Sequence, residues 1–170
     1  MPRDEEVNAM QREAGAMLAK SNFGRYEISN YARPGYECRH NLTYWRRGDY
    51  LGLGCAAHSM LDDCRFSNPA ALDGYLAGGR MAQVERLDRA DIIEETVMLA
   101  TRTVRGIDLK AWRKQFGRPF APEDCAPLAR LANAGFIEIE DGWLRLTPRG
   151  MEVQDAVVLS LLDIQEAVER

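Results

Sequence analysis

The chain has no run of about 18 apolar residues, which excludes an ordinary membrane-spanning helix. Its opening, MPRDEEVNAM, is acidic and has no apolar stretch, which excludes a secretory signal peptide and leads us to expect a cytoplasmic protein with reduced thiols. Histidine is scarce: only His40 and His58. The cysteines Cys38, Cys55, Cys64 and Cys125 form neither a C-x-x-C pair nor a C-x-x-x-C-x-x-C triplet, so the spacing offers no zinc ribbon and no iron–sulfur site. There is no excess of positive charge: 22 Lys and Arg stand against 26 Asp and Glu, a net −4. That balance argues against nucleic acid or an anionic membrane as partner, since both demand a basic field. No G-x-S-x-G elbow, internal repeat or low-complexity segment is present.

What remains, in 170 residues that are 46% hydrophobic and 28% charged, is ordinary globular composition, enough for one full core or two small modules. Residues 4–20 read as a helix, with Asp4, Glu5 and Glu6 at its positive end and Val7, Met10, Ala14, Met17 and Leu18 at helical spacing. Ser21 to Gly24 stops it, and Arg25 to Ser29 reads as a strand. A helix followed by a strand is one step of an α/β layer, which cannot bury itself alone. Residues 42–45 and 50–54 read as short strands. Met60 to Phe66 reads as another, turning at Asp62-Asp63, and Pro69 to Leu76 as a short helix opened by Asn68. Gly78-Gly79 marks a boundary, followed by an extended piece near 81–86.

Beyond it, Asp88 caps a helix to about Val104, Asp108 caps a second over Leu109 to Phe116, and a third covers Glu123 to Asn133. Asp141-Gly142 between alternating apolar runs signals a type I′ hairpin, and Thr147-Pro148 opens a last helix reaching Val168. Three helices, a two-stranded wing and a helix is a winged-helix order. The helix that would read DNA carries only Glu123, Asp124 and Arg130, so we read the domain as a packing module and expect no nucleic-acid partner.

Chemistry concentrates in Tyr26 to Asn68. Gly52-Leu-Gly-Cys-Ala-Ala57 matches the dinucleotide pattern G-x-G-x-x-A, but an Asp-Asp turn follows instead of a helix; close backbone approach is the better reason for paired glycines. His58-Ser59 is not a catalytic dyad by adjacency alone. His40 follows a Pro-Gly loop. Tyr44 and Trp45 offer flat apolar surface, and Arg39, Arg46 and Arg47 could pair with the carboxylates of a planar cofactor. Imidazole is a common axial ligand of haem iron. Cys38 could be a second soft ligand, although a spare thiol is the plainer reading.

Together, Y-E-I-S-N-Y-A-R-P-G (26–35), R-H-N-L-T-Y-W (39–45), Y-L-G-L-G (50–54) and A-H-S (57–59) resemble the radical-SAM haem chaperone (HemW) family, long labelled oxygen-independent coproporphyrinogen III oxidase-like. The likeness runs through almost the whole chain and corresponds to the family's C-terminal portion. It implies an α/β (α+β) fold: residues 1–78 as the last part of a partial (β/α) radical-SAM barrel, and 79–170 as a winged-helix-like C-terminal domain. The full-length family carries S-adenosylmethionine and a [4Fe–4S] cluster, whose ligand triplet this chain lacks.

On this resemblance His40 is the haem ligand and the metal-binding residue, and Asn41, Tyr44 and Trp45 complete H-N-x-x-Y-W. Gly54 and Ala57 lie beside the S-adenosylmethionine pocket, where Cys55-Ala56 departs from the Pro-Gly common in the family. The implied function is haem uptake and transfer to haem-accepting proteins, with haem or a porphyrin as ligand. The alternative is part of an oxygen-independent coproporphyrinogen III oxidase, an oxidative decarboxylase that this chain could not complete alone. A barrel edge left uncovered would favour a homodimer.

Overall fold

The computed structural model describes residues 3–79 and 81–169; Met1, Pro2, Arg80, Arg170 and the side chain of Asp4 lie outside the description, so the expectation for Asp4 at the helix start does too. In chain order the elements are α1 (Asp4–Lys20), β1 (Gly24–Glu27), β2 (Asn30–Ala32), α2 (Arg39–Trp45), β3 (His58–Leu61), β4 (Cys64–Ser67), α3 (Leu72–Leu76) and β5 (Gln83–Arg86). Then follow α4 (Arg89–Ala100), β6 (Ile107–Asp108), α5 (Leu109–Phe116), α6 (Ala126–Asn133), β7 (Ile137–Glu140), β8 (Trp143–Leu146), α7 (Pro148–Glu152) and α8 (Gln154–Glu169). This is a mixed α/β fold. None of its described helices is long and apolar enough to cross a membrane. The chain forms two compact units, Met1–Arg39 with Val97–Arg170, and His40–Thr96.

The first unit holds most of the apolar core. Asp108 caps α5 by accepting from the Lys110 and Ala111 amides at 2.9 Å each, and Gly117 in the left-handed region closes it. The cap aims Trp112 and Phe116 inward, where the Trp112 ring lies 4.3 Å from Phe116 and 4.8 Å from Phe120. Leu144, Leu161, Ile137 and Ile164 complete the core. Asp141 and Gly142 both take positive φ, as the type I′ turn between β7 and β8 requires.

The sheet order is β6-β8-β7, all antiparallel. β6 is a third strand that the sequence reading lacked, because two residues carry no periodicity. Its register depends on Gly106, where a Cβ would stand 2.0 Å from the Leu144 carbonyl oxygen. The expected final helix is broken at Val153 into α7 and α8. Thr147 caps α7 while its hydroxyl donates to the Gly135 carbonyl at 2.6 Å, pinning that turn beside the hairpin. α8 buries Val157, Val158, Leu161 and Ile164.

α4 stops at Ala100, short of the expected Val104. The Ile28 amide donates to the Arg102 carbonyl at 3.0 Å and the Val104 amide to the Tyr26 carbonyl at 3.2 Å, so strand-like pairing with β1 claims the segment. On α1, Met10 and Met17 are exposed.

In the second unit β3, β4 and β5 form an antiparallel sheet. Asp62 and Asp63, both at positive φ, make the β3–β4 turn where it was expected. The helix expected over 69–76 is confined to α3, and the extended piece at 81–86 is β5. The strand expected at 42–45 is instead α2, and 50–54 is irregular save for the bridge of Tyr50 to Met60. The β-branched and aromatic content of Leu42 to Trp45 suggested strand, but stacking at i,i+4 and a helix-end motif favour helix there.

Candidate functional site

α2 carries the histidine motif. Helical spacing sets His40 and Tyr44 one turn apart, their ring centroids 4.8 Å apart and nearly perpendicular at 82°. The Tyr44 ring in turn lies 4.5 Å from that of Tyr50, tying the helix to the glycine loop. His40 is exposed, and neither ring nitrogen has a hydrogen-bond partner among the described residues. Asn41 and Trp45, also one turn apart, occupy the adjacent face and are half-buried.

The helix ends in a Schellman motif: the Arg47 amide donates to the Tyr44 carbonyl at 2.9 Å and the Gly48 amide to the Thr43 carbonyl at 2.8 Å, with Arg47 itself at φ 54. The Arg47 guanidinium turns inward. Its Nε bonds Glu95 Oε2 at 2.9 Å and its Nη1 bonds Asp63 Oδ1 at 2.7 Å. Glu95 also binds Arg65, which reaches Glu85 at 3.2 Å. The expectation that Arg47 faces a cofactor carboxylate therefore gives way: two protein carboxylates already hold it. Arg46 remains exposed.

The glycine loop is fastened by three side chains. Asn68 Nδ2 donates to the carbonyls of Gly52 and Gly54 at 3.1 and 2.8 Å, Ser59 Oγ accepts from the Gly52 amide at 3.0 Å, and Tyr75 OH accepts from the Gly54 amide at 3.1 Å. The Ala57 amide donates to the Gly54 carbonyl at 3.4 Å, and the Ala57 carbonyl accepts from the Asn68 amide at 2.9 Å. The polar backbone atoms of Gly54 and Ala57 are thus engaged, and what these residues offer a ligand is shape. At Gly52 a Cβ would lie 2.2 Å from the His58 carbonyl oxygen, so this glycine serves the close backbone approach expected of it. Asn68 was read as a helix opener; its asparagine amide is the one feature that could have suggested a loop clasp.

Ser59 is buried and committed to the loop, while His58 is exposed. In Y-E-I-S-N, Glu27 is fully buried and makes the turn: its Oε1 accepts from the Ser29 amide at 2.9 Å and the Asn30 side chain at 2.6 Å, with Arg102 Nη2 3.9 Å from Oε2. Among the described residues no three His, Cys, Asp or Glu side chains converge on a metal position. Cavities of 630 Å³ beside α6 and α8, and of 440 Å³ beside α1 and β8, belong to the first unit and include none of the expected site residues.

The family model described as the HemN C-terminal domain matches residues 87–153. The chain is 36% identical over 165 residues to the heme chaperone HemW of Mycobacterium tuberculosis, covering 94% of this chain and 40% of that protein. It is 37% identical over 114 residues to the Synechocystis HemW, covering 63% of this chain and 28% of the relative. For the Lactococcus lactis HemW the figures are 26% over 160 residues, 92% and 42%. The chain therefore spans less than half the length of these curated relatives.

Among solved structures, coproporphyrinogen III oxidase (HemN) from Escherichia coli, described as a radical SAM enzyme, superposes with a TM-score of 0.68 at 23% identity over 94% of this chain and 42% of that one. At that identity the likeness shows the fold: a mixed α/β arrangement similar to the C-terminal region of that enzyme.

Proposed function

We propose, on the premise that this chain is related to the C-terminal portion of the haem chaperone HemW family, that it takes up haem through His40 and hands it to haem-requiring proteins. The observation that carries the reading is an exposed imidazole with both ring nitrogens unbonded, standing apart from any cluster of metal ligands. One imidazole cannot chelate a bare ion tightly, but it can complete the coordination of an iron already held by four porphyrin nitrogens. Tyr44 steadies the ring from its edge, and Arg39 and Arg46 are exposed cations near enough in sequence to meet a propionate. Asn41 and Trp45 complete the motif.

Exposure suits transfer, since a ligand gripped on one side can pass to an acceptor from the other. The residues present do not suit a [4Fe–4S] cluster, and no step is assigned to one. Gly54 and Ala57 would border S-adenosylmethionine through packing alone. The finer architecture we propose is the closing part of a radical-SAM barrel over 1–78 and a winged-helix-like domain over 79–170; the chain order α4, β6, α5, α6, β7, β8, with the three strands in one antiparallel sheet, supports the latter.

Titration with haem, followed by the Soret band, tests the reading. We expect a saturable shift that His40→Ala weakens at least about tenfold, the scale of one lost metal ligand or its support. An identical titration in the variant would remove His40 from the site.

A further inference from the structure

We propose that the Glu95–Arg47 ion pair is the device that positions His40, acting through α2; this rests on the haem reading above. α2 is seven residues long and contains no buried residue. A helix that short does not persist in water on its own hydrogen bonds. The Tyr44–Tyr50 ring contact holds its middle, and its C-terminal end carries an ion-paired anchor.

Arg47 closes the Schellman motif in the left-handed region, φ 54, a conformation that favours glycine. Its side chain is only 9% exposed, clamped by Glu95 of α4 and Asp63 of the β3–β4 turn. Glu95 is 17% exposed and serves two guanidinium groups at once, those of Arg47 and Arg65. Asp63 is 50% exposed, so the buried half of the clamp is Glu95. Arg47 Nη2 is buried with no hydrogen-bond partner, so the guanidinium depends on these two carboxylates for charge compensation. Removing the Glu95 charge leaves Arg47 underpaired. The αL residue that ends α2 then loses its anchor, and the turn bearing His40 and Tyr44 is free to fray.

Amide hydrogen exchange of Arg47 and Gly48, whose N–H groups close the helix, reads the lock without haem. In Glu95→Gln we expect these amides to exchange about tenfold faster, with Met60, in the same unit and donating its amide to the Tyr50 carbonyl at 3.0 Å, as an unchanged control for folding. Haem affinity should fall about tenfold in parallel. Glu95→Asp, which keeps the charge, should recover part of both effects, and Glu95→Gln should add nothing to the haem defect of His40→Ala. His40→Ala itself should leave Arg47 and Gly48 exchange unaltered.

Unchanged exchange in Glu95→Gln overturns the lock. Faster exchange with haem binding intact in Glu95→Gln but lost in His40→Ala overturns the positioning role while sparing the haem reading. Haem binding indifferent to His40→Ala overturns the haem reading itself, whatever the exchange shows, and the positioning of a haem ligand with it.

Discussion

In the unit formed by Met1–Arg39 and Val97–Arg170, Leu144 and Leu161 are fully buried and Trp112 is 2% exposed at the centre of an aromatic cluster. In His40–Thr96 the buried apolar residues among those described are Met60, Leu87 and Ile93, while Leu51, Leu53, Leu72, Leu76 and Val84 are exposed. The second unit compensates with directed polar contacts: Asn68, Ser59 and Tyr75 on the glycine loop, and Glu95 shared between two arginines. Burial is non-directional and tolerates imprecision; hydrogen bonds set angles. A region built to hold one imidazole and one loop in defined positions, with most of its surface open, fits the second kind of construction.

The contrast can be broken most severely at Trp112. Trp112→Ala should cost about 3–5 kcal/mol in urea unfolding, as large-to-small changes at filled aromatic positions do; a loss under about 1 kcal/mol would mean that the aromatic cluster is not the mainstay of its unit. Gly52→Ala comes next. The added methyl meets the His58 carbonyl oxygen at 2.2 Å, so the loop must move away from β3, at about 1–3 kcal/mol, the range of overpacked sites. Gly54→Ala meets open space, but φ 107 strains any L side chain, so it should also destabilise, by about 1–3 kcal/mol through the backbone alone; an unaltered thermal melt of Gly52→Ala would refute the close-approach account.

Asn68→Ala should cost about 1–3 kcal/mol by stranding two carbonyls, toward the low end because the residue is half-buried, with faster exchange of the Gly54 and Ala57 amides as its local signature. Smallest of all is the stability effect of His40→Ala, within about 0.5 kcal/mol for an exposed side chain, set against its expected loss of haem binding. A large stability loss there would make His40 a structural residue.

Much of the local framework was legible. Asp88 and Asp108 cap their helices, Asp62-Asp63 and Asp141-Gly142 turn their hairpins, and the boundaries of α5 match the expected residues. The candidate site was legible only as a set of names. His40 and Tyr44 do meet, yet on a helix that takes in the strand expected at 42–45, and Arg47 faces protein carboxylates rather than those of a cofactor. The fastening of Gly52 and Gly54 by Asn68, Ser59 and Tyr75 had no periodic signature to reveal it.

The sequence by itself determined what depends on neighbours within a few residues: caps, type I′ turns, the alternation of β7 and β8, and the motif that relates the chain to the haem chaperones. Tertiary structure decided whatever needed a partner far along the chain. Residues 101–104 leave α4 because β1 offers them hydrogen bonds, α8 breaks from α7 to reach the core, and Arg47 is claimed by Glu95 across 48 residues. Local propensities differ by only about 1 kcal/mol or less per residue, so a buried ion pair or a strand's hydrogen bonds can outweigh them wherever the fold brings such partners together.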